Sequence, residues 1–362
     1  MRILVRRVHL LLGLSLGLLF AVLGLTGSAL VFYSDIDTAL HPTVQVTRNS
    51  PASGGTVLAW DRALATGHAR WNDAGGKWSF ELTGEPGPIP ARYYPMPGGH
   101  GVRLMVWFST DGKRILRAEP WGGYLMSWVY QLHMQLLAGA TGGQVVGWSG
   151  VGMLLLLVSG LLTWWPRGSW KKALAFKRDA APIRRFRDLH KLSGLASMPL
   201  LFILVATGVL LALPAVTQTL LAPSTIPAPT SSDTRGKRIS IVQALAVGRR
   251  ALPEGRIVFV DVPTSGTAPI RVRVQVPGDP HERFPGSYVF IDSLSGRVLA
   301  IHDVRRANTG SAVARWIRTL HDGTVGGTTT RVIALLLGFV PALLFATGVL
   351  HWLRRRRSPH AS

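Results

Sequence analysis

Four histidines carry the strongest chemical signal in this chain of 362 residues, because two spacings recur around them. His9 precedes Gly27 by 18 residues, and His190 precedes Gly208 by the same 18. His133 precedes Gly160 by 27 residues, and His321 precedes Gly348 by the same 27. The second likeness runs further: Trp164 and Trp352 stand 31 residues beyond their histidines, and Arg167 and Arg355 stand 34 beyond. A neutral imidazole is a nitrogen donor for a metal, and two imidazoles facing one another suit the axial positions of a b-type haem. A lone histidine at a helix end reads as an interfacial or capping residue. Four in duplicated frames read as cofactor ligands. His351 is an alternative ligand beside His9 and His190, but its counterpart in the first half is Thr163, so the repeat does not support it.

Composition narrows the chemistry further. There is no cysteine, which excludes thiolate metal sites, iron–sulfur clusters and thioether-attached haem. The formal charge of +22 could suggest nucleic acid, but the basic residues cluster beside apolar runs, which is a topology signal. No surface nucleophile or general base stands out, so no catalytic residue is assigned. His41, His68, His100, His281, His302 and His360 fall in connections or the tail, where exposed polar surface is expected.

The elements that must position the four histidines are apolar runs long enough to cross a ~30 Å hydrocarbon core, which takes about 20 residues of helix. Four are expected, at 8–33, 144–166, 189–213 and 332–353. The first exceeds a signal-peptide core, lacks an A-x-A site and resembles the third, so it reads as a retained helix. Arg2, Arg6 and Arg7 precede it, the basic loop 167–188 follows the second run, and a basic tail at 354–362 follows the fourth. The positive-inside rule puts these segments and both termini in the cytoplasm of a bacterial inner-membrane protein. The connections 34–143 and 214–331 are then periplasmic. Eighteen residues of helix cover about 27 Å, so His9 and His190 fall at the cytoplasmic ends of runs one and three. "GATGG" (139–143) and "GGTTT" (326–330) are expected to interrupt the helix, leaving His133 and His321 on short interfacial helices at the outer edge.

The glycines Gly27, Gly160, Gly208 and Gly348 either admit a cofactor or a neighbouring helix, or serve tight helix packing. Trp164, Trp165 and Trp352 read as interface-belt aromatics. Each periplasmic connection reads as a small α+β module. The first holds helix-like "TVLAWDRALATGHARW" and strand-like "KWSFEL" and "GVRLMVWFSTDGKRILRAEP". The second holds "SIVQALAVGRRALP", "RIVFVDV", "IRVRVQV" and "SYVFIDSLSGRVLAIHD". "FSTDGKRIL" and "IDSLSGRVL" share a hairpin pattern with a polar glycine turn. "APSTIPAPTSSDT" (222–234) reads as a linker. Alternation puts Arg271 and Arg273 on one strand face, read as solvated.

With "RRVHLLLGL", "LHMQLLAGATGGQVVGWSG", "RDLHKLSGL" and "LHDGTVGG…ATGVLHWLRRR" in hand, the chain resembles the PepSY-associated transmembrane family over nearly its whole length. Ser159 stands where a threonine is expected before Gly160, and His351 is extra. That family includes inner-membrane ferric-siderophore reductases. The resemblance implies periplasmic PepSY-like domains and, by motif position, His9, His133, His190 and His321 as axial ligands of two haem b groups. The fold class expected is a mostly α membrane protein, four transmembrane helices from a duplicated two-helix unit plus two periplasmic PepSY-like modules. The implied activity is electron transfer from the cytoplasmic side to a ferric siderophore or other ferric chelate, releasing Fe(II) for uptake. No G-x-G-x-x-G follows a strand, so the donor is a quinol, a reduced flavin or a cytoplasmic partner. Two other classes are weighed: a membrane-anchored periplasmic binding or regulatory module without redox activity, and an iron or iron-chelate transporter subunit. The last would need a polar pathway, and no acidic residue lies in a span core.

Overall fold

The computed structural model describes residues 2–45, 59–84, 87–96, 102–166, 168–226, 229–230, 236–264 and 268–356. In chain order its helices are α1 (Arg2–Val31), α2 (Tyr33–Leu40), α3 (Pro42–Gln45), α4 (Ala59–His68), α5 (Leu125–Gln135), α6 (Gly139–Trp164), α7 (Trp170–Leu174), α8 (Pro182–Ala212), α9 (Pro214–Leu221), α10 (Ile241–Ala251), α11 (Thr309–His321) and α12 (Gly327–Arg356). The strands are β1 (Lys77–Glu81), β2 (Ile89–Tyr94), β3 (Leu104–Phe108), β4 (Ile115–Pro120), β5 (Arg256–Pro263), β6 (Ile270–Gln275), β7 (Ser287–Ile291) and β8 (Val298–His302). The chain forms two compact units.

The first unit gathers residues 1–33, 129–220 and 317–362. Its four long helices, α1, α6, α8 and α12, are long and apolar enough to cross a bilayer. Each packs on two others: α1 on α6 and α12, and α8 on α6 and α12, so α1 and α8 lie diagonally opposite. Leu11, Leu18, Leu155, Leu336 and Phe339 are exposed at half or more of their surface, which lipid rather than water accommodates. Phe20, Met153, Leu157 and Leu201 form the buried centre. The α1–α12 seam is tight because a Cβ on Gly24 or Gly338 would overlap the other helix's backbone or Ser28. Ser28 Oγ also donates to the Leu335 carbonyl at 2.7 Å.

The helix interruptions fall slightly earlier than expected. Leu136 and Leu137 adopt left-handed φ of 48° and 59°, which breaks the chain between α5 and α6. Most of "GATGG" then begins α6 instead of interrupting it. On the other side the break is at Gly323 to Gly327, with φ of 74° and 64° at those glycines. His133 and His321 thus end short helices, α5 and α11, immediately before a long one.

The second unit comprises residues 34–128 and 221–316. Both connections contribute to one antiparallel sheet of eight strands, in the order β4-β3-β2-β1-β5-β6-β7-β8. The order places two four-stranded meanders side by side, joined where β1 pairs with β5 through Ser79 opposite Asp261. One face packs under α4 and α10 on Trp78, Phe80, Tyr93, Phe108, Val260 and Val272. Capping at Ser240, which accepts from Gln243 N at 3.1 Å, starts α10. Both glycine-turn hairpins form: Gly112 and Gly296 each take φ +74°, and Asp111 and Asp292 cap the turns.

Three surface expectations are corrected here. Arg271 and Arg273 are half-buried: Arg271 pairs with Asp261 and lies over Tyr288, and Arg273 lies against both Phe259 and Tyr288. Cross-strand aromatics shield them, which alternation alone does not reveal. His281 is buried, its Nδ1 accepting the Phe284 N–H at 3.1 Å. His41, His68 and His302 are half-buried. His100, His360, Arg167 and much of the 222–234 linker lie outside the described residues.

Candidate metal centres

The structure brings His9 of α1 opposite His190 of α8, with ring centres 6.3 Å apart and planes at 87°. It brings His133 of α5 opposite His321 of α11, with ring centres 6.2 Å apart and planes at 42°. Two metal–nitrogen bonds of about 2.0 Å each, with ring centres ~1.1 Å behind their nitrogens, place two axial imidazoles about 6.2 Å apart. Both observed separations match. Among the described residues no group of three or more His, Asp or Glu gathers, so the donors come as pairs. Pairs suit a metal whose remaining ligands come with a cofactor.

Each imidazole is locked by a neighbouring helix, and the lock is the same in all four cases. His9 Nδ1 faces the Leu156 carbonyl at 3.2 Å and Ser159 Oγ at 3.1 Å. His133 Nδ1 faces Leu23 O at 3.0 Å and Thr26 Oγ1 at 3.1 Å. His190 Nδ1 faces Leu344 O at 2.9 Å and Thr347 Oγ1 at 3.1 Å. His321 Nδ1 faces Leu204 O at 2.9 Å and Thr207 Oγ1 at 3.4 Å. A carbonyl only accepts, so the proton must sit on Nδ1. The hydroxyls agree, since each donates its own hydrogen to a carbonyl of its helix. Thr26 donates to Val22, Ser159 to Leu156, Thr207 to Ile203 and Thr347 to Leu343. Nε2 is left unprotonated, which is the nitrogen a metal needs.

The glycines explain how the rings get so close. A Cβ on Gly208 would stand 2.8 Å from His321 Cε1, and one on Gly27 2.9 Å from His133 Cε1. The corresponding distances are 3.0 Å for Gly160 and His9, and 3.4 Å for Gly348 and His190. Of the two sequence readings left open, close approach applies, and the group approaching is a histidine. Hydroxyl, glycine and carbonyl belong to one motif, L-x-x-[ST]-G, at Leu23–Gly27, Leu156–Gly160, Leu204–Gly208 and Leu344–Gly348. The fourfold recurrence was available in the sequence. Apart from Ser159, the hydroxyl and leucine positions carry no signal of their role in the sequence, because only contact with a histidine from another helix gives them one.

Burial disfavours the charged form of the His133 and His321 rings. It pushes His133 down to about 4, with the facing His321 adding to the shift and the Leu23 carbonyl opposing it. Burial lowers His321 as well, against the Leu204 carbonyl. The two pairs lie at opposite ends of the bundle: along α1, His9 and the Leu23–Gly27 cradle are separated by about 24 Å. Between them lie Leu16, Phe20, Met153, Leu157 and Leu201, with no charged side chain in that cluster. His351 sits on α12 one turn beyond Gly348, outside the two ring pairs.

A family model for the PepSY-associated TM region matches residues 6–355. No curated protein matches the chain.

Proposed function

The chain belongs to the PepSY-associated TM family, and on that premise we propose that it is a di-haem membrane oxidoreductase. In this reading it passes electrons from the cytoplasmic side of the bacterial inner membrane to a periplasmic ferric chelate, such as a ferric siderophore. The single observation that carries it is the pairing of two sets of imidazoles at an axial-ligand separation, each with Nδ1–H bonded and Nε2 left for metal. His9 and His190 would hold the inner haem, and His133 and His321 the outer one. Bound there, each haem would supply a one-electron Fe(III)/Fe(II) couple.

The chain's own contribution is ligation and environment. The four L-x-x-[ST]-G cradles fix ring orientation and raise ligand basicity through the Nδ1 hydrogen bonds. The apolar centre between the pairs excludes water and counter-ions. A quinol donor would give up two electrons and two protons, enough to reduce two ferric ions, one electron at a time. Reduction weakens binding to hard oxygen ligands, and Fe(II) leaves. We also infer that the chain arose by duplication of a two-helix unit with its PepSY-like periplasmic segment. The matched histidine frames, the four cradles and a strand order that runs β1 to β4 and β5 to β8 outward from the centre support this.

The test is a visible spectrum of detergent-purified protein, oxidised and dithionite-reduced, with a pyridine haemochrome count. The expected result is a Soret band, a sharp b-type α-band and two haems per chain. His133→Ala or His321→Ala should remove one haem, and His9→Ala or His190→Ala the other. A colourless protein, even after expression with haem precursor, would sink the reading in favour of an anchored binding module.

A further inference from the structure

Hydroxyl side chains within the long helices mostly satisfy themselves. Ser15, Thr26, Ser159, Ser197, Thr207 and Thr347 each donate to a carbonyl of their own helix. Thr163 does not: its Oγ1 is buried and has no partner. The next residue repeats the anomaly, since Trp164 Nε1 is also buried without a hydrogen-bond partner, its ring meeting Trp170 edge to face at 5.5 Å. A buried donor left unpaired is destabilising, and two in succession call for a missing acceptor.

Their helix register says where that acceptor lies. Thr163 is four residues beyond Ser159, and Trp164 four beyond Gly160, the two residues that cradle His9. Positions four apart share a helix face. Both donors therefore stand one turn past the His9 cradle, toward the end of the bundle. On α12, the helix that cradles His190, His351 and Trp352 occupy the equivalent places beyond Thr347 and Gly348. The ligands come from the diagonal pair α1 and α8, so the donor-bearing helices α6 and α12 flank the line joining the two imidazoles. Basic groups outnumber acidic ones at this end: Arg2 Nη2 donates to Trp165 O at 2.9 Å, Arg354, Arg355 and Arg356 end α12, and the buried Asp188, two residues before His190, is offset by ion pairs to Arg184, Arg187 and Lys191. The cradles at the other end lack such donors. One turn past Thr26 and Gly27 stand Leu30 and Val31, and one turn past Thr207 and Gly208 stand Leu211 and Ala212.

We propose that the His9/His190 end is a carboxylate-binding shelf for the two propionates of the haem held there. Thr163 and Trp164 donate to one carboxylate, and His351 and Trp352 to the other. The proposal rests on the di-haem reading and assigns His351 the role of a propionate donor, not an axial ligand. It also explains why Thr163 and His351 differ while holding equivalent positions: either side chain can donate one hydrogen bond.

The full chain, produced haem-depleted, is reconstituted with haem or with haem dimethyl ester, whose carboxylates are blocked. Loss of each to excess apomyoglobin is followed in the Soret band, with the His321→Ala protein identifying the phase from the His9/His190 site. In the unsubstituted protein the ester should leave that site about tenfold faster than haem, the scale of a lost charge-assisted hydrogen bond. Thr163→Val and Trp164→Phe should speed haem loss part of the way to the ester's rate, since His351 and Trp352 still hold the other carboxylate, while leaving the ester's own rate unchanged. Thr163→Ser should restore slow loss. Retention of haem by the His133/His321 pair shows that each variant is folded. Equal loss of haem and ester from the unsubstituted protein overturns the proposal while the di-haem reading stands. So does an equal acceleration of both by the variants. Failure of either site to take up haem at all would instead sink the di-haem reading, and this inference with it.

Discussion

Replacing Gly208 by alanine tests the cradle geometry most directly. The new Cβ would lie 2.8 Å from His321 Cε1, where carbon–carbon contacts settle at about 3.5–4.0 Å. The ring must move by about 0.7–1.2 Å, more than the ~0.5 Å tolerance of a preorganised ligand. It cannot do so freely, because Nδ1 is held by Leu204 O at 2.9 Å and the ring is half-buried against α8. If the pair holds haem as proposed, the expected loss of haem affinity at that site is about 10- to 100-fold, the scale of disturbed outer-shell support. Alanine favours helix over glycine by about 0.8–1.0 kcal/mol, so the helix itself should not weaken. The same change at Gly27, Gly160 and Gly348 gives contacts of 2.9, 3.0 and 3.4 Å. The effect should therefore fall in the order Gly208, Gly27, Gly160, Gly348, with Gly348→Ala close to unperturbed. Haem stoichiometry and the reduced α-band of the four purified variants measure this, with circular dichroism as the folding control. Full haem content in Gly208→Ala, or losses in Gly348→Ala as large as in Gly208→Ala, would refute the steric argument.

Other outcomes follow from the same contacts. Thr347→Val keeps the shape but removes the hydroxyl beside His190 Nδ1, leaving the Leu344 carbonyl; the haem proposed there should leave about tenfold faster, and an unchanged rate would show the hydroxyl idle. Asp261 titrates below its ordinary range: burial alone would raise it, but Arg271 overcomes burial. A depressed folded pKa stabilises above the unfolded value near ~3.9 and loses that stabilisation as pH falls through the folded value. Asp261→Asn should thus lower stability by about 1–3 kcal/mol at pH 7, discounted for the partly exposed Arg271, and by less at pH 3, below the unfolded value; thermal unfolding followed by tryptophan fluorescence at the two pH values decides. Trp78 is fully buried under the sheet helices, so Trp78→Ala should cost about 3–5 kcal/mol, read as a lower midpoint in the same assay, and a shift under about 1 kcal/mol would contradict the packing.

The sequence by itself determined the four long helices and the placement of each histidine along them. Hydropathy and helical rise are one-dimensional quantities, and an 18-residue offset becomes a height in a bundle without any knowledge of neighbours. It marked lipid-length stretches rather than helix ends, so α8 begins at Pro182, well before the apolar run at 189, because the basic segment before that run is helical too. The strand β2, "IPARYY", was not read, since Pro90 and small Ala91 hide the alternation, and its pairing with β1 and β3 supplies what propensity lacks. That two separate connections share one sheet was equally invisible, because strand pairing across a long chain separation leaves no local pattern. Only the tertiary structure decided which helix locks which histidine: His9 on α6, His133 on α1, His190 on α12 and His321 on α8. A hydrogen bond across helices depends on their rotation and diagonal arrangement. Those are fixed by glycine contacts and core packing, which no spacing within a single helix encodes.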